Sequence, residues 1–191
     1  TCYSKGTETP RKDFKRGAIL YEGDRIETGL GSRAAVMLDN GSILRLNENT
    51  TLVMKDKKPG KKKARLLLVL GRMWAKVTRR DLSLEVETPS AVAAVKGTQL
   101  ELIIQGDTVN LIVWDGLVEW YNELGKVLVK AAQQSSAEKG GEPLEPEDVD
   151  LGKLDQWFET VVPIPGSKSL KAVVKDAQGQ NQDIQLHYEK K

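Results

Sequence analysis

The sequence predicts a mainly β protein. It reads as an all-β domain of short strands and hairpins, solenoid-like or sandwich-like, followed by one helix and a small hairpin. Three observations carry this. Apolar and polar residues alternate in short runs, clearest at Leu82, Leu84 and Val86 against Ser83, Glu85 and Glu87. Glycine-containing turns separate the runs at close spacing. A helical period appears only after residue 147.

Residues 1–13 are polar and aperiodic, and read as a flexible tail. The domain is expected over 14–134. Its first apolar pieces flank Gly23-Asp24, and Thr28-Gly29 opens a turn. Arg33–Leu38 and Ser42–Leu46 flank Asp39-Asn40-Gly41. Asn-Gly there predicts a hairpin of type I′, with positive φ at both central residues. Thr51–Lys55 continues as a strand. Lys57–Lys63, of sequence KKPGKKK, reads as a solvated hairpin tip. It lacks the interleaved aromatics of a nucleic-acid patch, and replacing Lys61, Lys62 and Lys63 with Ser is expected to leave stability nearly unchanged. Gly71 separates two further strands, Ala64–Leu70 and Arg72–Thr78.

The stretch Val86–Leu102 lies at the centre. Thr88-Pro89 stops a strand, because proline offers no ladder N–H. Ala91, Ala93 and Ala94 are small enough for close backbone approach, and Lys96-Gly97-Thr98 turns the chain. This is either a crowded structural corner or a surface where a partner or small ligand touches backbone. Gly97→Val tests the first reading by melting temperature. Gly106-Asp107 predicts a turn, Asp115-Gly116 a second hairpin, and Lys126–Ala132 a last strand.

Residues 135–147 hold Ser, Gly, Pro and Glu without apolar spacing and read as a linker. In 148–191, Val149, Leu151, Leu154, Trp157 and Phe158 share one helical face, predicting a helix over Asp148–Thr160. Two strands, Ser169–Lys175 and Gln182–Tyr188, complete the appendage. The face is too large for so small a hairpin to cover, so it is expected to dock on the β-domain or on another chain.

The chain carries 29 basic and 27 acidic residues, a net charge of +2, which supplies no bulk field for nucleic acid. No apolar run approaches the length of a membrane span. Cys2 is the single cysteine, so no internal disulfide forms; an N-terminal cysteine is also where a bacterial lipoprotein carries lipid, although Thr1 before it fits that signal poorly. His187 is the single histidine, which leaves no usual zinc site, and no metal or cofactor is expected.

The ordered motifs resemble one family. They are Gly23-Asp24-Arg25-Ile26-Glu27-Thr28-Gly29, Ala34–Gly41 with Ser42, Leu70-Gly71-Arg72-Met73, Thr88-Pro89-Ser90-Ala91, Val95-Lys96-Gly97-Thr98 and Val113–Val118. From about Phe14 to Gln134 the chain resembles the FecR domain. The resemblance implies a bacterial all-β periplasmic or extracellular module, membrane-anchored in a full-length protein or free. Its best-known relatives relay an outer-membrane receptor's state, through a membrane helix, to a cytoplasmic sigma factor. This chain shows no such helix, and Ala132 stands where the family has glycine.

Function follows as a non-catalytic binding or signalling module whose partner is another cell-envelope protein. The motif positions Gly23, Asp24, Thr28, Gly29, Asn40, Gly41, Thr88, Pro89, Lys96, Gly97, Thr98, Asp115 and Gly116 are turn-forming residue types, expected to specify fold and to contact a partner. The alternative is a cell-envelope polysaccharide binder using Trp114 and Tyr121 as stacking surfaces. A two-carboxylate hydrolase drawing on Asp24, Asp39, Asp107 or Asp115 is the least favoured reading, because each sits beside or within a turn.

Overall fold

The computed structural model describes residues 1–12, 14–15, 17–55, 63–78 and 83–160, and as backbone alone the strands at 163–164, 169–175 and 181–187. The lysine tip at 57–63 therefore lies essentially outside the described residues.

The strands are β1 (Cys2–Tyr3), β2 (Arg25–Glu27), β3 (Ala34–Met37), β4 (Ile43–Leu46), β5 (Thr51–Lys55), β6 (Lys63–Leu70) and β7 (Arg72–Lys76). They continue with β8 (Ser83–Glu87), β9 (Val92–Val95), β10 (Gln99–Gln105), β11 (Thr108–Asp115), β12 (Leu117–Tyr121), β13 (Lys126–Lys130), β14 (Gln133–Glu138) and β15 (Glu147–Asp148). An eight-stranded sheet runs β1-β2-β5-β6-β8-β9-β12-β13, and a seven-stranded sheet β15-β14-β11-β10-β7-β4-β3. Among the described residues every strand pairing is antiparallel except β6 with β8, which is parallel from Lys63↔Ser83 to Leu67↔Glu87.

Strand alternation makes this a sandwich. Inward residues of the first sheet include Ile26, Leu52, Leu66, Leu68, Leu84, Val86 and Trp120, all at most 2% exposed. They share one core with Leu44, Leu46, Met73, Ala75, Leu100, Leu102 and Leu111 of the second. Ala93, between Val86 and Trp120, leaves the space that the large indole fills.

The chain changes sheet repeatedly, and its corners are built around left-handed residues. Gly71 joins β6 to β7 at φ +94°, and Gly116 joins β11 to β12 at φ +91°. Two non-glycine residues take the same region, Asn49 (φ +50°) between β4 and β5, and Ala132 (φ +58°) between β13 and β14. Threonine hydroxyls close these corners. Thr50 Oγ1 accepts the Arg72 backbone N–H at 3.0 Å, and Thr98 Oγ1 donates to the Leu117 carbonyl at 3.0 Å.

Several expectations are corrected. Asp115-Gly116 is a corner between sheets rather than a hairpin turn, because the strands it joins, β11 and β12, belong to different sheets and pair with different neighbours. The turn at Asp39–Gly41 has positive φ at Gly41 only; Asn40 Oδ1 instead accepts the Ser42 N–H at 2.9 Å. The segment 1–13 is no loose tail throughout: Cys2 pairs with Ile26 and is fully buried. The strand expected to end at Ala132 ends at Lys130, and the expected linker at 135–147 begins as β14, with Ser135 and Ala137 turned inward and paired to β11.

The predicted helix at 148–160 is absent. Glu147–Asp148 pairs with β14, Leu151–Lys153 and Trp157–Thr160 are single 3₁₀ turns, and Asp150 caps the first through Gly152 N–H. Gly152 and the short polar spacers weaken a helix that only a continuous apolar face would hold. Beyond it, β16 (Pro163–Ile164), β17 (Ser169–Lys175) and β18 (Asn181–His187) form a separate three-stranded sheet.

Candidate functional site

On the outer face of the seven-stranded sheet, cross-strand register lines up Arg45, Trp74, Glu101, Ile112 and Gln134 on five neighbouring strands. The parity is that of Met73 and Ala75: because those two face the core, Trp74 must face out. Outward residues normally meet water, yet Trp74 is 2% exposed and Glu101 fully buried. The segment 155–159 covers them.

Phe158 stacks on Trp74 with ring centroids 4.7 Å apart and meets Trp114 edge-on at 5.0 Å. Trp157 Nε1 donates to Glu101 Oε1 at 2.5 Å, and Arg72 Nε donates to the same oxygen at 2.6 Å. This guanidinium compensates a carboxylate otherwise stranded in an apolar layer. Arg72 also lies 5.5 Å from the Trp157 ring and donates to the Asp155 carbonyl at 3.3 Å. Arg45 sits 4.6 Å over the Trp74 ring. Burial lowers its guanidinium below an arginine's ordinary value, and the Glu159 carboxylate opposes that shift. Arg33 Nη1 reaches the Trp157 carbonyl at 3.5 Å. Among the described residues, three buried atoms on this face have no hydrogen-bond partner: Glu101 Oε2, Trp74 Nε1 and Trp114 Nε1.

The motif residues do not gather here. They divide among the corners and turns. Asp24, 2% exposed, accepts from Arg11 Nη1 and from the Tyr21 N–H, both at 3.0 Å, with Gly23 beside it at φ +90°. Thr28 donates to the Asn47 carbonyl at 2.5 Å and accepts the Thr50 N–H at 2.9 Å, next to Gly29. Thr88 caps the Pro89 turn through the Ala91 N–H at 3.1 Å and donates to the Ala91 carbonyl at 2.6 Å. Asn40 and Gly41 form the β3–β4 turn. Lys96, Gly97 and Thr98 meet Asp115 and Gly116 where two corners stack, and the side chains of Lys96 and Asp115 point to solvent.

Trp114 and Tyr121 are not brought together. Trp114 belongs to the covered face, whereas Tyr121 lies on β12 in the other sheet, paired with Val92 and Lys126. Trp120 is core. Sequence reading missed Glu101, Arg72, Arg45 and Arg33. The parity of Trp74 against Met73 and Ala75 was the available signal; nothing local announces that Glu101 is buried.

The family model of the FecR protein matches residues 24–119, about half of the sequence. The chain belongs to the FecR family. The match begins at the buried Asp24 and ends on β12, so it includes the Thr50–Gly71 and Thr98–Gly116 corners, while β13, β14 and the covering segment lie beyond it. Two crystal structures of a "putative anti-sigma factor" from Parabacteroides distasonis ATCC 8503 are similar in fold. Each has 19% identity and a TM-score of 0.61, covering 74% of this chain and 67% of that one. No curated protein sequence matches the chain. Among the described residues, no helix is long and apolar enough to cross a membrane.

Proposed function

We propose that this FecR-family chain is a non-catalytic extracytoplasmic signalling module that acts by binding another cell-envelope protein. The observation that carries the reading is the family match laid on this structure. Within 24–119 the polar motif side chains of Asp24, Thr28, Asn40, Thr88 and Thr98 bond to the fold itself. Residues spent in this way specify a rigid scaffold, and the scaffold's surfaces do the binding. The name of the P. distasonis structural neighbours fits a regulatory role.

The test is a photo-crosslinking residue placed at outward positions of both sheets, such as Leu128 and Arg45, in the native cell. One discrete envelope-protein adduct, absent when the fold is broken by Gly116→Val, is the expected result. Turnover of glycoside, peptide or ester substrates, lost in a folded Asp24→Asn or Asp115→Asn variant, would overturn it. So would retention on purified envelope polysaccharide that is lost on Tyr121→Ala.

A further inference from the structure

The segment 155–159 is attached to the sandwich in an unusual way. Its last backbone hydrogen bond to a strand-bearing part of the domain, among the described residues, is Val149 N–H to the Ala132 carbonyl. After that, the backbone bonds of 150–159 close on the segment itself: Lys153 to Asp150, Leu154 to Leu151 and Glu159 to Gln156. Only Trp157 and Phe158 are buried in it, and Asp155, Gln156 and Glu159 are exposed. No strand ladder therefore holds it on the sheet; two rings, one indole N–H, an Arg72–Asp155 ion pair and arginine hydrogen bonds to the Asp155 and Trp157 carbonyls do. Surface ion pairs of this kind add little holding energy but favour acidic partners over basic ones.

The face underneath carries more recognition chemistry than the segment uses. Arg33, Arg45 and Arg72 surround it: Arg72 pairs with the Asp155 carboxylate at 3.6 Å, the Glu159 carboxylate acts on Arg45 through space, and Arg33 reaches the Trp157 carbonyl. Glu101 Oε2 and the indole N–H groups of Trp74 and Trp114 are buried without hydrogen-bond partners among the described residues. A competing segment that supplies a donor to Glu101 and an acceptor to an indole gains bonds that 155–159 does not make.

We infer that the outer face of the seven-stranded sheet is a peptide-docking groove, and that 155–159 is a latch occupying it in cis. The partner it fits is a protein segment bearing an aromatic pair flanked by carboxylates. This deepens the partner-binding reading above by naming the surface. The sandwich keeps all of its backbone ladders when the latch leaves, so exchange costs ring burial but no strand. A segment displaced in this way carries its two exposed rings and the chain beyond residue 160 to a new position, which couples partner arrival to the C-terminal sheet.

The test uses the full chain and a fluorescein-labelled peptide of residues 150–160. The variant Trp157→Ala/Phe158→Ala is expected to bind the peptide at least tenfold more tightly than the intact chain does. Adding Arg72→Ala to that variant is expected to weaken binding severalfold, and a peptide with both rings replaced by Ala should not bind. No binding to a folded latch-less variant overturns the inference, and leaves the crosslinking result above to decide the partner reading on its own. If that variant does not fold, hydrogen exchange on the intact chain decides. The Glu159 amide exchanging at least tenfold faster than the Trp74 and Glu101 amides supports a latch; equal protection overturns it. A concentration-dependent dimer of the intact chain, exchanging this segment, would overturn the assignment in favour of a second copy.

Discussion

Gly116 lies so close beneath Thr98 that a Cβ on it would come within 2.8 Å of the Thr98 hydroxyl and 3.0 Å of the Gly97 carbonyl. The same contact recurs at the β6–β7 corner, where a Cβ on Gly71 would run into Thr50. In both, a threonine on one layer of the chain's path sits over a glycine on the next. Its hydroxyl bonds the backbone beside that glycine, Arg72 N–H in one case and the Leu117 carbonyl in the other. Gly71→Ala and Gly116→Ala are each expected to cost about 2–4 kcal/mol, from left-handed strain plus overpacking. Gly106→Ala, at φ +61° with nothing within 4 Å of its Cβ position, should cost only the strain, about 1 kcal/mol. Urea unfolding of the three variants checks the order.

Ala132 supplies the opposite case. At φ +58° it is an L-residue in a region that glycine occupies freely. Its N–H donates to the Val113 carbonyl at 2.9 Å and its carbonyl accepts from Val149, so the corner cannot relax away from that conformation. Ala132→Gly is expected to raise stability by about 0.5–1 kcal/mol, relief of strain less the added chain entropy. A lower denaturation midpoint would show that the Ala132 methyl contributes packing beyond its strain.

Glu87 gives the pH dependence a sign. Burial alone would raise its pKa, but hydrogen bonds and charge from Lys55 and Arg65, each at 2.5 Å, outweigh this and hold the carboxyl below its ordinary value. A depressed carboxylate adds stability above the unfolded pKa of about 4.3, and that increment is lost as pH falls through the folded value. The stability gap between the parent and Glu87→Gln should therefore be present at pH 7 and shrink below about pH 4. A gap independent of pH would mean the ion pairs contribute nothing.

Cys2 is expected to resist alkylation in the native protein. Burial pushes its thiol up, Asp24 adds to the shift, and Arg11 opposes it. A neutral, enclosed thiol is a poor nucleophile. Reaction with a thiol reagent at pH 8 should follow unfolding of β1, accelerating with denaturant; full reaction in native buffer would show that β1 leaves the sheet readily.

A chain ending at Gln134 is expected to aggregate or lose stability. It would keep the first two residues of β14 and discard Ser135 and Ala137, uncovering most of β11, and it would strip Trp157 and Phe158 from Trp74. A soluble, monomeric product with an unchanged melting temperature would show that both contacts are dispensable.

The β class was legible because burial on one face writes period 2 into a strand, as at Leu84 and Val86 or Leu100 and Leu102. The stretch around Gly97 was legible as a corner because Gly, Pro and Thr have few other uses. What the sequence does not write is which sheet a strand joins. Gly71 and Gly116 look like hairpin turns locally, and only packing sends the chain across the core instead. The segment at 148–160 misled for a related reason. Its apolar residues do sit at helical spacing, but Trp157 and Phe158 are needed on the sheet, and the stack of Phe158 on Trp74 and the bond of Trp157 to Glu101 decide the backbone. Glu101 was illegible because its burial is imposed by residues more than fifty positions away.

The parallel ladder between β6 and β8 orders assembly in time. In the eight-stranded sheet, β1, β2, β5 and β6 lie on one side of that seam and β8, β9, β12 and β13 on the other. A chain emerging N-terminus first from a ribosome or a translocation channel therefore holds a half-sheet whose β6 edge stays open until β8 has been delivered. Leu66 and Leu68 cannot be fully enclosed before then. The interval between the two strands is the period in which the nascent protein is exposed to strand pairing with the wrong neighbour.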